Sequence, residues 1–219
     1  MKKIILLSFL FFGFLLSHAL GQQNIQLPEV KAKAGMDVIQ AMETRAASRS
    51  FDTKAVPIEA ISTILWAGNG IILRKGSKTI HGYDAVTSAT NLYRYTTPWG
   101  WGDPYIKLYL ILKEGTYEYL PREHELRFIS DNGKSGGTSA FGVIVIAVDF
   151  NEMPGFNKDV KNVAFLSAGS AAQNMYVAGA VYNIQMLTQV SINKKRIKKQ
   201  LDLPDKVEPL ATLTFGHAS

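Results

Sequence analysis

The sequence predicts an α+β layer fold, with helices and strands segregated along the chain. Three observations carry this. Two helical patterns lie early, at 36–46 and 56–70; strand patterns fill 106–129 and 141–150; and one long helical run occupies 159–182. No internal repeat or second domain is visible in the 219 residues, a length that suits one domain with a sizeable core.

Residues 1–21 stand apart from that core. They begin with Lys2 and Lys3, run through apolar residues from Ile4 to Leu16, and close on small residues. Ala19 and Gly21 sit three and one before Gln22, where a signal peptidase would cut. The apolar run is short for a membrane span and is broken by Gly13, Ser17 and His18, so cleavage is expected over retention as an anchor. The expectation is an exported protein, periplasmic or secreted, whose folded domain is 22–219.

Composition narrows the chemistry. Without residues 1–21, 22 basic residues face 18 acidic ones, a thinly spread excess that does not argue for nucleic acid. The chain has no cysteine. That excludes a lipidated cysteine at the cut, thiolate catalysis, thiolate metal sites and iron–sulfur clusters, and it suits an oxidising compartment. Four histidines, one of them in the leader, make a metal centre unexpected.

The elements follow in order. Residues 22–35 read as an extended arm. Val38, Ile39, Met42 and Ala46 recur at three and four and mark the first helix. In "VPIEAISTILWAGNG", Pro57 opens the second helix, Gly68 and Gly70 end it, and Ile58, Ile61, Ile64 and Leu65 form its buried stripe. Residues 74–105 read as irregular, with "TTPWGWGDPY" breaking any element. "IKLYLIL" alternates into a strand and "KEGTYEYLPREHELRFI" continues as a hairpin. "FGVIVIAVDF" is apolar almost throughout, as befits a strand buried on both faces. "DVKNVAFLSAGSAAQNMYVAGAVY" is a long helix of small residues, "INKKRIKKQLDLP" a short basic helix with a solvated face, and "EPLATLTFGHAS" a closing strand.

The pair Arg45 and Arg49 poses the sharpest functional question. On one helix face, two cations about 6 Å apart repel by roughly 3 kcal/mol at an effective dielectric near 20. Either each pairs with a surface carboxylate such as Glu43 or Asp52, or one anion sits between them. Elsewhere, "REHE" at 122–125 reads as alternating charge on a solvated hairpin, and Gln173 and Asn174 read as helix-packing groups. Trp99 and Trp101, flanked by glycines, suit a pocket wall. No phosphate-loop, dinucleotide or Gly-X-Ser-X-Gly fingerprint occurs.

Five stretches together resemble the nitroreductase-like flavoproteins, in particular their streptolysin-type thiazole/oxazole dehydrogenase branch. They are "MDVIQAMETRAASRSF", "TILWAGNGI", "TSATNLY", "GTYEYLPREHELRFI" and "SAGSAAQNMYVAGAVY", and they run in the family's order from about Gly35 to the C-terminus. The resemblance implies a nitroreductase-like α+β fold, a central mainly antiparallel sheet flanked by helices, and an interlocked homodimer with FMN at its interface. It implies that Arg45 and Arg49 hold the FMN phosphate, and that Ser88 and Asn91 approach the flavin ring. No catalytic acid or base is nominated, and the Lys-Tyr dipeptide of the branch's azoline oxidases is absent.

The chain departs from the pattern at Ala47, at "YNI" (182–184), at Thr188, in the 92–105 stretch and at its "FGHAS" end. Relatives commonly place cations at Thr188 and at that end. Two readings therefore stand: an exported FMN-dependent oxidoreductase acting on a small organic substrate with an unidentified electron donor, or a flavin-free ligand- or partner-binding module on the same fold.

Overall fold

The structure is a computed structural model that describes residues 23–30, 35–73, 94–98, 105–133, 139–153 and 159–219. The leader, Ser88, Asn91, Trp99 and Trp101 lie outside the described residues.

Seven strands form one sheet in the order β1-β6-β5-β4-β7-β9-β8, and every neighbouring pair is antiparallel. They are β1 (Ile25–Gln26), β4 (Ile106–Leu112), β5 (Thr116–Leu120), β6 (Glu125–Ser130), β7 (Gly142–Asp149), β8 (Gln185–Gln189) and β9 (Val207–Gly216). A separate two-stranded ladder joins β2 (Ile71–Leu73) to β3 (Arg94–Tyr95). Four helices are described: α1 (Val38–Thr44), α2 (Ile58–Asn69), α3 (Val160–Val181) and α4 (Lys194–Gln200).

The apolar run of β7 is explained by its place at the sheet centre, covered on both sides. Because strand side chains alternate, Leu108, Leu110, Ile144 and Ile146 face the α2–α3 layer. Their neighbours Tyr109, Ile111, Val145 and Ala147 face a smaller cluster closed by Ile197, Leu201 and Val207. The basic helix α4 thus contributes only Ile197 to the core and keeps its cations outward, apart from Lys198, which pairs with Glu208 at 2.7 Å. Pro209 lies in the central strand β9, where its missing N–H would cost a ladder bond. The register shifts at that point, between Ile146 and Ala147 of β7, so the proline is housed in a bulge.

The small residues of α3 allow α2 close in. Ala164, Ala168, Ala171 and Ala172 are buried, and Gly68 lies in the last turn of α2, which ends at Asn69 with Gly70 as its cap. A Cβ on Gly68 would lie 2.9 Å from Met175 Sδ and 3.0 Å from Leu108 Cδ1, so the glycine marks the contact of both helices with the sheet.

Two expectations change. The first concerns α1, whose apolar residues point outward: Val38, Ile39 and Met42 are 57%, 63% and 49% exposed, and Ala41 is the residue α1 buries. The helix is also shorter than its periodicity implied. Asp37 caps its start by accepting from Gln40 N at 2.9 Å, and Thr44 Oγ1 bonds back to Gln40 O at 2.8 Å at its end. The chain then leaves helical geometry at Arg45 (φ −58°, ψ 134°), captured by β8 through Ala47 and Met186.

The second change concerns "REHE". Arg122 and Glu123 are exposed, but His124 is half-buried in a turn at φ 53°. Burial raises the pKa of Tyr119, and its hydroxyl shares a hydrogen bond of 2.9 Å with His124 Nδ1. His124 Nε2 then faces Ser62 Oγ at 2.8 Å and Pro28 O at 3.0 Å, and Ser62 donates to Pro28 O at 2.6 Å. This knot ties the N-terminal arm to α2 and to the hairpin, while Leu27 enters the core. Replacing His124 with Ala is expected to cost about 1–3 kcal/mol, because buried hydroxyls lose their partner. Denaturant unfolding checks the cost, and faster amide exchange at Leu27 checks its location.

On each rim of the sheet a side chain satisfies exposed backbone groups. On one, Asn24 Oδ1 accepts from Phe128 N at 3.0 Å beyond the short β1. On the other, the Tyr176 hydroxyl accepts from Thr188 N at 3.0 Å and donates to Met186 O at 3.2 Å.

Candidate functional site

The segment after α1 carries both arginines along the β8 rim. Ala47 pairs with Met186 in parallel register, and Ser48 N donates to Met186 O at 3.0 Å. Three residues on, Phe51 pairs with Ala218, Asp52 N donates to His217 O, and Ser219 N donates to Ser50 O. The arginine segment is therefore held between an edge strand and residues 217–219.

This geometry corrects the premise of one helical turn between Arg45 and Arg49. The backbone is non-helical from Arg45, and four residues of extended chain can span up to about 14 Å. The repulsion estimated for a helical pair does not apply. Neither arginine forms an ion pair with Glu43, Asp52 or any other described residue; among the described residues the ion pairs are Arg127–Glu118 and Lys198–Glu208. Asp52 Oδ1 instead accepts from Lys54 N at 2.8 Å.

Arg45 has a different neighbour. Its guanidinium carbon lies 5.7 Å from the centroid of the Tyr176 ring on α3, within cation–π range. Close to the same segment, His217 Nε2 is buried with no hydrogen-bond partner. Both arginines are exposed and, among the described residues, neither is compensated by a carboxylate, while no contact among those residues brings the two guanidiniums and His217 to one point. Each guanidinium on its own can fork onto the oxygens of an anion such as a phosphate monoester.

The root of the tryptophan segment is fixed from two sides. Asn174 Nδ2 on α3 donates to Thr96 O at 3.2 Å, so one of the two expected helix-packing amides does pack; Gln173 is exposed. Thr96 Oγ1 donates to Trp66 O at 2.9 Å and accepts from Gly70 N, and Thr97 Oγ1 donates to Gly68 O. Ser167 on α3 hydrogen-bonds the Tyr105 hydroxyl at 2.8 Å, and burial raises that phenol's pKa despite the opposing serine bond. The chain therefore enters and leaves 99–104 from pinned ends. A cavity of about 590 Å³ opens at the start of α3, lined among the described residues by Phe150, Asp159, Val160, Lys161 and Asn162, and neither Arg45 nor Arg49 is among them.

Tyr176 is the site residue that sequence reasoning passed over. In "QNMYVAG" it reads as one more apolar position on a helix, and nothing in its neighbourhood signals the distant arginine.

A comparison with curated proteins finds no match. Among solved structures, a protein from Ralstonia eutropha classed with the nitroreductases is 23% identical, with 91% of each chain covered and a TM-score of 0.75. Another so classed, from Anabaena variabilis, is 14% identical at a TM-score of 0.66, covering 90% of this chain but 42% of that one. The E. coli microcin synthetase McbBCD complex is 16% identical at a TM-score of 0.60, covering 88% and 79%. These likenesses establish the fold. The sequence profile of the Nitroreductase family matches residues 42–217, from the end of α1 through the last strand, and the chain accordingly belongs to the Nitroreductase family.

Proposed function

We propose that this oxidoreductase-family protein is exported, binds FMN as a homodimer, and passes reducing equivalents to a small organic substrate. The observation that carries the reading is that Arg45 and Arg49, on the segment beside β8, have no carboxylate partner among the described residues and so are free to meet a phosphate. When bound, FMN supplies hydride chemistry at its N5. Arg45 and Arg49 would hold its phosphate, Ser88 and Asn91 its ring edge, and Trp99 and Trp101 would wall the substrate side. The pinning of Thr96 by Asn174 fixes where that wall begins.

The outward apolar residues support the homodimer. Val38, Ile39 and Met42 on α1, and Phe165 and Leu166 on the neighbouring α3, are exposed, which suits burial against a second copy. An exported enzyme would not ordinarily meet NAD(P)H, so the electron donor is expected to be a quinol, a partner protein, or the substrate itself with the enzyme acting as an oxidase.

The test is direct. The protein purified as the producing cell processes it should start at Gln22, run as a dimer, and carry the absorption of an oxidised flavin at one FMN per chain. A colourless protein that also ignores added FMN would overturn the reading in favour of the flavin-free binding module.

A further inference from the structure

We infer that Tyr176 is the positioning residue of the phosphate site, holding the Arg45 guanidinium against its ring so that the cation meets the anion already oriented. The inference rests on the FMN reading above. Three observations converge on it. The guanidinium carbon of Arg45 lies 5.7 Å from the Tyr176 ring centroid. The ring is itself immobilised, because its hydroxyl donates to Met186 O at 3.2 Å and accepts from Thr188 N at 3.0 Å, with Thr188 Oγ1 at 3.4 Å. And Met186 O also accepts from Ser48 N at 3.0 Å, one residue after the Ala47–Met186 pairing.

One carbonyl of β8 therefore fixes both the chain three residues after Arg45, through Ser48 N, and the ring that meets the guanidinium, through the Tyr176 hydroxyl, while the backbone of Arg45 itself donates to Ala41 O at 3.0 Å. An exposed arginine otherwise spreads over many rotamers, which an anion must freeze on binding. The aromatic face removes part of that cost in advance, and it attracts the cation without neutralising it, as a carboxylate would. Thr188 belongs to the device through its backbone N–H. Its side chain adds a longer contact and brings no charge.

The deflavinated protein, processed by its host, is titrated with FMN and with riboflavin, which has the same ring and no phosphate. Tyr176→Leu should weaken FMN about three- to five-fold and leave riboflavin unchanged, the size of effect expected from an exposed cation–π contact. Tyr176→Phe, which keeps the ring but loses the hydroxyl's hold on Met186 O and Thr188 N, should recover part of that loss and fall between the parent and the Leu variant. In an Arg45→Ala background, Tyr176→Leu should have no further effect. Equal weakening of both ligands, failure of the Phe variant to rescue, or additivity with Arg45→Ala would overturn the role of Tyr176 alone. A parent protein that binds FMN no more tightly than riboflavin would overturn the phosphate site and this inference together. Should the Leu variant not fold, the parent suffices: its Arg45 side-chain protons should resonate upfield under the ring, and random-coil positions would refute the stacking.

Discussion

Removing both guanidiniums, as Arg45→Ala with Arg49→Ala, is expected to weaken FMN binding by about 100-fold or more. Each hydrogen bond from a charged donor contributes about 1.5–3 kcal/mol net, so two such anchors supply about 3–6 kcal/mol. The loss should be confined to the phosphate, because neither side chain bonds another described residue and the segment is placed by backbone contacts to Met186, His217 and Ser219. Riboflavin affinity and the unfolding midpoint should therefore stay near parental values. Replacing both with lysine should recover charge but not the forked geometry, giving intermediate affinity. Titration of the deflavinated variants by flavin fluorescence checks this. Stoichiometric FMN retained through purification of the double alanine variant would remove the arginines from the site.

Phe215→Ala is expected to destabilise the fold by about 3–5 kcal/mol, a large share of the roughly 5–15 kcal/mol typical of a domain. Phe215 is fully buried at the seam where β9 meets β7 and β8, opposite Gly142 and Met186. Its ring stands 6.0 Å from that of Phe141, and it fills the space that Gly142 leaves: a Cβ there would lie 2.9 Å from the Phe215 ring atoms. Truncation leaves a void with rigid strands on both sides, so little collapse is available. Denaturant unfolding should show a lower midpoint at unchanged slope. A loss under about 1 kcal/mol would mean that the neighbours close the void. Because β9 continues into residues 217–219, which pair with the arginine segment, the same variant should also loosen FMN.

The legible parts of the sequence were those where one periodicity decided the outcome. The alternation in "IKLYLIL", the unbroken apolar run from Gly142 to Val148 and the long small-residue helix each had one physical solution, and all three appear where expected. For α1, periodicity told which residues share a face, not whether that face meets this chain or another; Val38, Ile39 and Met42 share one, and it points outward. Short strands such as β1, β2, β3 and β8 carry too few residues for a pattern, and they exist because longer neighbours or turns recruit them. At the site, Arg45 and Arg49 stood out through charge alone, although the backbone between them is extended. Tyr176 and His124 did not, since their roles depend on partners far away in the chain, where composition is silent.

The side chains lying along the two rims of the sheet bear on how this protein behaves when crowded. An open strand edge is a template on which another chain can crystallise into a fibril. Here the Tyr176 phenol and the Asn24 amide each take backbone positions that such an intruder would need, so the residue whose ring meets Arg45 also narrows the open stretch of one rim.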